Sequence, residues 1–296
     1  YFFALMLFII SAVLPVSAFE LTDKTPILWL THDINYLDDL TIDLPVSIAT
    51  DTNNLVLNSM KNYQFTFQVV PMPRIDNLLK SSESMCVGNR IKTAERLETS
   101  VFSLPLNIYP GIRLYFLKSR DDIPKSLLNK QSELLSLTSL FQEFPERILG
   151  KTKGRSFDSF LDSEIDELSP RNLLLLSGSG NAYAINYMLF KKRVDYVIEF
   201  PIEINDSING YNQKVDIHSL AIANSPKFIA GRIACTDTDV GRAFIVEVNK
   251  VLINLYQTPE FYQAHARYIN ENDLPDFKRS FTQYFTSIVN QYHERK

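Results

Sequence analysis

Residues 63–87 limit the possible folds of this chain more than any other stretch. Residues 63–69, YQFTFQV, alternate apolar and polar side chains, which predicts a half-buried strand. Pro73 is typical of a helix start, and apolar residues at helical spacing follow it. Residues 85–87 predict the next strand. Strand, helix and strand within about 25 residues predict parallel strands joined by a right-handed crossover, as in an α/β protein.

The same alternation continues on both sides of this unit. Residues 26–30, PILWL, predict a buried first strand that runs into a polar loop at 31–36. Further strands are predicted at 108–117, 173–176, 194–200, 218–223 and 228–234. A short strand is also predicted directly before the Gly-Arg-Ser turn at 154–156. Helices are predicted at 127–144, 157–165, 181–192 and 240–255, with Asp237 or Thr238 as the cap of the last, and then at about 259–269 and 277–292. The polar segment 203–215 predicts a surface loop.

The first 19 residues carry no charged side chain and predict an export signal. An apolar run, FFALMLFIISAVL, is followed by Pro15 and by Val-Ser-Ala at 16–18, the small-residue pattern of a signal peptidase site. The run is about 13 residues long, short of the roughly 20 that span a bilayer. We therefore expect residues 1–18 to be a cleaved signal peptide and the protein to be periplasmic. The alternative is an uncleaved membrane anchor.

Length and charge narrow the class of protein. The part of the 296-residue chain after residue 18 is too long for one small core and suits two lobes of roughly 100–150 residues each. The formal net charge is −4 and no run of Lys and Arg is longer than three residues, which argues against nucleic acid and anionic membranes as partners. We expect a monomer.

The chain has two cysteines, Cys86 and Cys235. In an exported protein an even count predicts one disulfide, and the alternative is two buried free thiols. No C-x-x-C motif occurs and the four His residues are scattered along the chain, so a zinc site is not expected. We expect neither a metal nor a cofactor.

Residues 89–110 carry the most informative motif. They contain Thr93-Ala94-Glu95-Arg96 and then Phe102-Ser103-Leu104-Pro105. A T-x-x-R element followed by F-S-x-P resembles the periplasmic solute-binding proteins of the family 3 type, which bind amino acids and other small polar solutes. Residues 194–201, VDYVIEFP, resemble a strand of the same family. The cysteines and the segment IACTDT at 233–238 suggest a divergent branch.

The resemblance implies a two-lobed type II periplasmic-binding-protein fold. In that fold each lobe is a mostly parallel sheet flanked by helices, and two hinge crossovers join the lobes. Mapped onto this chain, lobe 1 comprises residues 19–108 and 233–296, and lobe 2 comprises residues 109–232.

The resemblance also implies a ligand site between the lobes. Thr93 and Arg96 would lie on one wall, where the planar guanidinium of Arg96 can hold a carboxylate through two parallel bonds. Ser156, with Arg155 before it, would bring a helix start to the ligand carboxylate, and Glu199 would receive an ammonium. Alternatives remain open: Arg96 could pair with Glu95 or Glu98 on the surface, Ser156 could simply cap its helix, and Glu199 could lie in solvent.

An aromatic wall completes the predicted site. In the family the loop after the first strand supplies an aromatic side chain, and here Tyr36 or Trp29 could do so. Trp29 could equally belong to the core.

The motifs favour binding over catalysis. No His is paired with Ser or Cys in a recognisable local pattern, and the length leaves no room for a separate catalytic domain. The predicted function is binding of a small polar solute for delivery to an inner-membrane ABC permease. The alternative is a ligand sensor that signals to a membrane receptor, and an enzyme is the least favoured class.

Overall fold

Ten strands form two five-stranded sheets in this computed structural model, which describes residues 24–39, 44–120, 122–177 and 183–294. In chain order the strands are β1 Thr25–Thr31, β2 Tyr63–Val69, β3 Met85–Arg90, β4 Ser100–Pro110, β5 Arg113–Leu117, β6 Leu149–Thr152, β7 Leu173–Leu176, β8 Tyr196–Glu199, β9 Ile217–Ala221 and β10 Phe228–Thr236. The predicted signal peptide, residues 1–18, lies outside the described residues.

In each sheet four strands run in the same direction and one strand, β10 or β5, runs antiparallel to both of its neighbours. In the first sheet, order β2-β1-β3-β10-β4, β1 pairs in parallel with β2 and β3, and β10 runs antiparallel to β3 and β4. In the second, order β7-β6-β8-β5-β9, β6 pairs in parallel with β7 and β8, and β5 runs antiparallel to β8 and β9. The predicted mostly parallel sheets are confirmed.

Helices flank both sheets. They are α1 Tyr36–Asp39, α2 Ile48–Leu57, α3 Met72–Leu78, α4 Ala94–Leu97, α5 Leu137–Glu143, α6 Ser159–Asp166, α7 Ala184–Phe190, α8 Pro201–Asn209, α9 Asp239–Leu255, α10 Pro259–Ala266 and α11 Leu274–Glu294. Side chains cap many of their starts by accepting a backbone N–H, as Thr238 does for α9. Among the described residues, no helix is both long enough and apolar enough to cross a membrane.

Each sheet has its own hydrophobic core, so the molecule has two lobes. In lobe 1, the part around the first sheet, Trp29 and Phe244 are buried together with aromatic residues of α10 and α11. In lobe 2, the part around the second sheet, Phe116, Phe157 and Tyr196 are buried between the sheet and its helices. The chain passes between the sheets at 111–112 and again at 222–227. The finer boundaries predicted from the sequence, 19–108 with 233–296 and 109–232, remain predictions.

Two sequence predictions of elements were wrong because apolar content was taken for one continuous element. The predicted strand 108–117 is two strands in different sheets, since the chain turns at Gly111, whose N–H bonds to the carbonyl of Lys227 at 2.7 Å. The predicted helix 127–144 begins only at Leu137. Before it, Asn129 accepts the N–H groups of Gln131 and Glu133 and holds a turn, and Ser136 caps the helix.

A third prediction was wrong because polar composition concealed a helix. The segment 203–215 was predicted as a surface loop, but Pro201–Asn209 is α8. Pro201 stands at its first helical position, which favours helix formation. Ile204 and Ser207 are buried, and Ser207 accepts a hydrogen bond from Asn186 on α7 at 2.8 Å. Packing against lobe 2 therefore outweighs the weak helical signal.

A disulfide joins Cys86 of β3 to Cys235 of β10. The two residues face each other in the antiparallel pair, and both are fully buried. The bond that the even cysteine count predicts is therefore present, and it connects strands that are far apart in sequence.

Candidate ligand-binding site

The two lobes bring the carboxyl ends of their parallel strands toward each other. On the lobe 1 side, His32 follows β1 and Arg90 ends β3. On the lobe 2 side, Arg155 follows β6 and Glu199 ends β8. Ligands of open α/β sheets bind in the crevice outside the carboxyl ends of the strands. The topology therefore directs both sets of polar side chains into one cleft.

Arg96 crosses this cleft. It lies on the short helix α4, whose start is capped by the Thr93 hydroxyl, which accepts the Arg96 N–H at 3.3 Å. Its guanidinium donates to the carbonyl of Ile91 at 2.9 Å and, from the other nitrogen, to the carbonyl of Gly154 in lobe 2 at 3.2 Å. The side chain is 13% exposed, and burial lowers its pKa. Arg96 is therefore an interlobe residue and not a solvated surface cation.

A second arginine shares the carboxylate beside Arg96. Asp76 on α3 lies 3.5 Å from Nε of Arg96 and accepts a hydrogen bond from Nη2 of Arg90. Burial and the neighbouring Arg96 lower the pKa of Arg90 to about 10, although Asp76 opposes the shift. Two guanidinium groups thus face one carboxylate.

The turn after β6 is a part of lobe 2 that contacts lobe 1. Gly154 has φ +80, in the left-handed region that favours glycine. A Cβ atom at this position would lie 3.2 Å from the backbone nitrogen of Pro73, at the start of α3. The residue is therefore restricted both by its backbone conformation and by the opposite lobe.

The helix start after this turn is already occupied by the chain's own carboxylates. Asp158, not Ser156, caps α6, because its Oδ1 accepts the N–H groups of Phe160 and Leu161 at 2.7 and 2.9 Å. The Ser156 hydroxyl donates instead to Asp162. Asp162 also lies 3.7 Å from Nζ of Lys151. The sequence predicted the right turn but the wrong cap.

Arg155 is enclosed by two glutamates. Its Nη2 donates to Oε1 of Glu199 and to Oε2 of Glu203, each at 2.6 Å. Glu199 is 1% exposed, and it also accepts the N–H of Phe200 at 2.9 Å. Glu199 therefore does not lie in solvent. The two glutamates are called the acid pair below.

The two glutamates of the acid pair and Arg155 shift one another's pKa values. Burial raises the pKa of Glu199 well above its ordinary value, against the opposing effect of Arg155. For Glu203 burial acts in the same direction, but Arg155 and Glu199 outweigh it and the pKa is lowered. Burial alone would lower the pKa of Arg155, and the two glutamates reverse the shift. Arg155 is thus a fixed cation beside one group that readily keeps a proton.

Two further side chains complete the cleft at the hinge side. Burial lowers the pKa of His32 below its ordinary value, and the Arg155 guanidinium lowers it further. The ring of Tyr109, near the end of β4, packs on Phe200 with centroids 4.9 Å apart. Burial raises the pKa of Tyr109, and Glu203 adds to the shift. Both side chains are therefore expected to be neutral at pH 7.

Most of the residues predicted for the site come together here, although their ligand contacts remain predictions. Arg96, Thr93, Arg155, Ser156 and Glu199 all lie on the two walls described above.

The two aromatic residues predicted for the site are placed differently. Trp29 is 1% exposed and packs in the lobe 1 core, with Phe65 edge-on at 6.0 Å. This is the core alternative that the sequence left open. Tyr36 begins α1, and its side chain lies outside the described part of the chain.

The sequence interpretation missed Asp76 and Glu203. Glu203 was assigned to a surface loop, yet its spacing of four residues from Glu199, with Pro201 between them, fits two acids brought together by a strand end and a helix start. That signal could have been found. Asp76 had no such signal, since its partners are chosen by the packing of α3 against β3. Among the residues that the structure describes, no group of three or more His, Cys, Asp or Glu could hold a metal ion.

Comparison with known proteins supports the fold. Neither a protein-family model nor a curated protein matches the chain in sequence. This chain is similar in structure to a histidine kinase sensor domain that itself resembles periplasmic binding proteins. The TM-score is 0.60 and the sequence identity 12%, and the match covers 84% of this chain and 97% of the sensor domain. It is also similar to an ancestral arginine-binding protein bound to arginine, with a TM-score of 0.59 and 13% identity, over 84% of this chain and 99% of that protein.

A third similar structure is EhuB in complex with hydroxyectoine, with a TM-score of 0.59 and 13% identity, over 83% of this chain and 88% of that one. The chain thus has the two-lobed α/β fold of the type II periplasmic binding proteins. At these identities the similarity establishes the fold, and the ligand of this chain must be argued from its own residues.

Proposed function

We propose that this protein binds a small polar solute, amino-acid-like or related, in the cleft between its lobes. The solute is delivered to an inner-membrane ABC permease, and the protein works in the periplasm as a monomer. It binds its solute without chemical turnover. The fold supports this role, because closure of two lobes around a ligand is the usual motion of such proteins.

The observation that carries the proposal is the position of Arg96. Its guanidinium spans the cleft and shares Asp76 with Arg90, so it can hold an anionic group at the place where the lobes meet. Each hydrogen bond between charged groups contributes about 1.5–3 kcal/mol when water is excluded.

The test is Arg96→Ala. Loss of two such bonds predicts at least about 100-fold weaker ligand binding, since 1.4 kcal/mol corresponds to about a factor of ten. Stability should change little, because Asp76 keeps Arg90 as its partner. The ligand is identified by native mass spectrometry of the purified protein, its affinity is measured by titration calorimetry, and stability is measured by denaturant unfolding.

The matched control is Arg279→Ala. Arg279 lies on α11 with a side chain that is 75% exposed, paired only with its neighbour Asp276 in the described ion pairs. This variant should bind as the wild type does. Unchanged affinity in Arg96→Ala would refute the assigned site.

A second candidate function is ligand sensing for a membrane receptor. It is favoured by the similarity to a histidine kinase sensor domain, with a TM-score of 0.60. Both functions use the same cleft, so binding data cannot separate them. Cross-linking of the loaded protein in membranes can, because a permease supports delivery and a receptor with cytoplasmic output supports sensing.

A further inference from the structure

The acid pair lies where a two-lobed cleft could hold a ligand cation, but it already holds Arg155. One nitrogen of the Arg155 guanidinium donates to both glutamates, at 2.6 Å each. Glu199 has almost no exposed surface, and one of its oxygens also accepts a backbone N–H. A ligand ammonium could pair with Glu199 only by displacing an arginine of the protein itself, and at Glu203, whose side chain is 31% exposed, it would have to share the carboxylate with that arginine.

Arg155 is held firmly in this position. Its guanidinium carbon lies 5.6 Å from the ring centroid of Phe157 and 5.7 Å from that of Phe200. The side chain is 14% exposed. Aromatic faces attract a guanidinium, and a charge buried in this way would leave its partners unpaired if it moved away. Displacement of Arg155 by a ligand is therefore unfavourable.

The remaining charges in the cleft favour an anion. On the lobe 1 wall, Arg90 and Arg96 share the single carboxylate of Asp76. On the lobe 2 wall, Lys151 faces Asp162, which also accepts a hydrogen bond from Ser156. The lobe 2 groups are thus balanced, whereas on the lobe 1 wall two guanidinium groups have one carboxylate within 4 Å, with Glu95 and Asp162 acting on Arg96 from farther away.

Protonation of the neighbouring groups fits this balance. Burial raises the pKa of Glu199 well above its ordinary value, so the acid pair holds a proton more readily than two solvent-exposed glutamates would. Burial and Arg155 keep His32 neutral. Asp33, after β1, is a further carboxylate that acts on His32, and it accepts the N–H of Asn35 at 3.0 Å.

We infer that the ligand is a small organic anion without a charged amine, because Arg155 takes the place of a ligand cation and the guanidinium groups of Arg90 and Arg96 share one carboxylate. This inference rests on the proposed function. It narrows the ligand class from amino-acid-like solutes to carboxylates that carry a hydroxyl or another neutral group where an amino acid carries its ammonium.

The test on the wild-type protein uses matched pairs that differ only in this group. L-lactate is compared with L-alanine, L-malate with L-aspartate, and 2-hydroxyisocaproate with L-leucine, by titration calorimetry. The ligand retained through purification is identified by native mass spectrometry. We expect a hydroxy acid to bind at least tenfold more tightly than its amino acid, and the retained ligand to lack an amine or guanidine.

The results can refute the inference of an anionic ligand without refuting solute binding itself. Tighter binding of the amino acid, or a retained ligand with a charged amine, overturns the inference and leaves solute binding in place. If such a ligand loses affinity in Asp33→Asn, then Asp33 receives its ammonium. If nothing is retained and no compound binds, the proposed function fails and the inference fails with it.

Substitution of Arg155 tests the cation site directly. Arg155→Ala should gain at least tenfold in affinity for the amine-bearing member of a pair, and its melting temperature should rise with 10 mM guanidinium chloride but not with 10 mM sodium chloride. Arg155→Lys keeps a cation in place and should therefore show a smaller gain than Arg155→Ala in affinity for the amine-bearing member and in the rise of melting temperature with guanidinium chloride. If a folded Arg155→Ala protein gains neither affinity for the amine-bearing compound nor melting temperature with guanidinium chloride, the acid pair is not a site for a cation. Should this variant not fold, the wild-type pairs decide.

Discussion

Gly154 shows how a single residue allows close contact between the lobes. Its positive φ lets the turn after β6 fold tightly, and its lack of a side chain lets that turn contact the start of α3. The same turn places the carbonyl that accepts from Arg96 and positions Arg155 beside the acid pair. One glycine thus supports both walls of the cleft.

Gly154→Ala should weaken ligand binding more than it weakens folding. An alanine in the left-handed region costs roughly 1–2 kcal/mol, which should appear as a similar loss in the free energy of unfolding. The added Cβ, 3.2 Å from the Pro73 nitrogen, should also push the turn away from α3 and lengthen the Arg96 contact. Denaturant unfolding and titration calorimetry measure the two effects.

Gly210→Ala is the control for this prediction. Gly210 follows α8 with φ −79, and its added Cβ would meet the flexible end of Tyr187 at 3.2 Å. Its stability should stay within about 0.5 kcal/mol of the wild type and its affinity should be unchanged. Wild-type affinity in Gly154→Ala would contradict the role given to the turn.

At the scale of elements, α10 holds the C-terminal helices against the strand that leads into lobe 2. His265 on α10 is fully buried and accepts the N–H of Ile108 in β4 at Nε2, 3.3 Å away. Its Nδ1 lies 2.8 Å from the carbonyl of Phe261, which fixes the proton on Nδ1. Rings of α10 and α11 surround it, including Phe281 at 5.1 Å. A neutral His265 therefore joins β4 to both helices.

His265 should make the protein less stable in acid. Burial lowers its pKa from 6.5 to about 4, although the bond to Phe261 opposes the shift. Between these values the unfolded chain binds a proton that the folded protein does not, so stability falls as the pH drops from about 6.5 toward 4. This group alone should account for about 3 kcal/mol between pH 7 and pH 4.

Unfolding free energies at several pH values check this prediction. His265→Gln should be less stable at pH 7 but should lose about 3 kcal/mol less on acidification, since glutamine does not titrate. The exposed His293 gives the control, and His293→Gln should follow the wild-type curve. Parallel curves for the wild type and His265→Gln would exclude His265 as the source.

At the scale of the whole molecule, the two lobes are joined by β4 and β10, which lie side by side. Their register runs from Pro110 opposite Phe228 to Ser100 opposite Thr236. The disulfide secures the lobe 1 end of β10 to β3, on the side away from β4. Both connections to lobe 2 therefore start from a strongly bonded part of lobe 1. If the angle between the lobes changes when a ligand binds, we expect the backbone to bend at 111–112 and 222–227.

Removal of the disulfide should destabilise the protein without altering the cleft. The bond spans 149 positions of sequence, and a closed loop of this length restricts the unfolded chain, so the double variant Cys86→Ala/Cys235→Ala should lose about 2–4 kcal/mol. Denaturant unfolding with and without dithiothreitol measures the loss. Dithiothreitol should not affect the double variant, and finding two free thiols by non-reducing peptide mapping of the wild type would refute the bond.

The amino-acid sequence by itself determined the local structure and the class of fold. The alternation in 63–69 predicted β2 with its observed bounds, and Asp237 or Thr238 was predicted to cap α9, as Thr238 does. These two features depend on interactions between near neighbours, whose periodicity and capping preferences are visible in sequence. The two-lobed cleft was implied by the family resemblance of the T-x-x-R and F-S-x-P elements.

Only the tertiary structure decided which charges meet. Arg155 binds Glu199 and Glu203, which lie 44 and 48 positions away, and Arg96 reaches Gly154 at a separation of 58. Trp29 joined the core and not the cleft because β1 turns that face toward α9. A side chain selects its distant partners by the packing of whole elements, and no local pattern records that choice. The acid pair, and with it the ligand class, therefore depended on the fold.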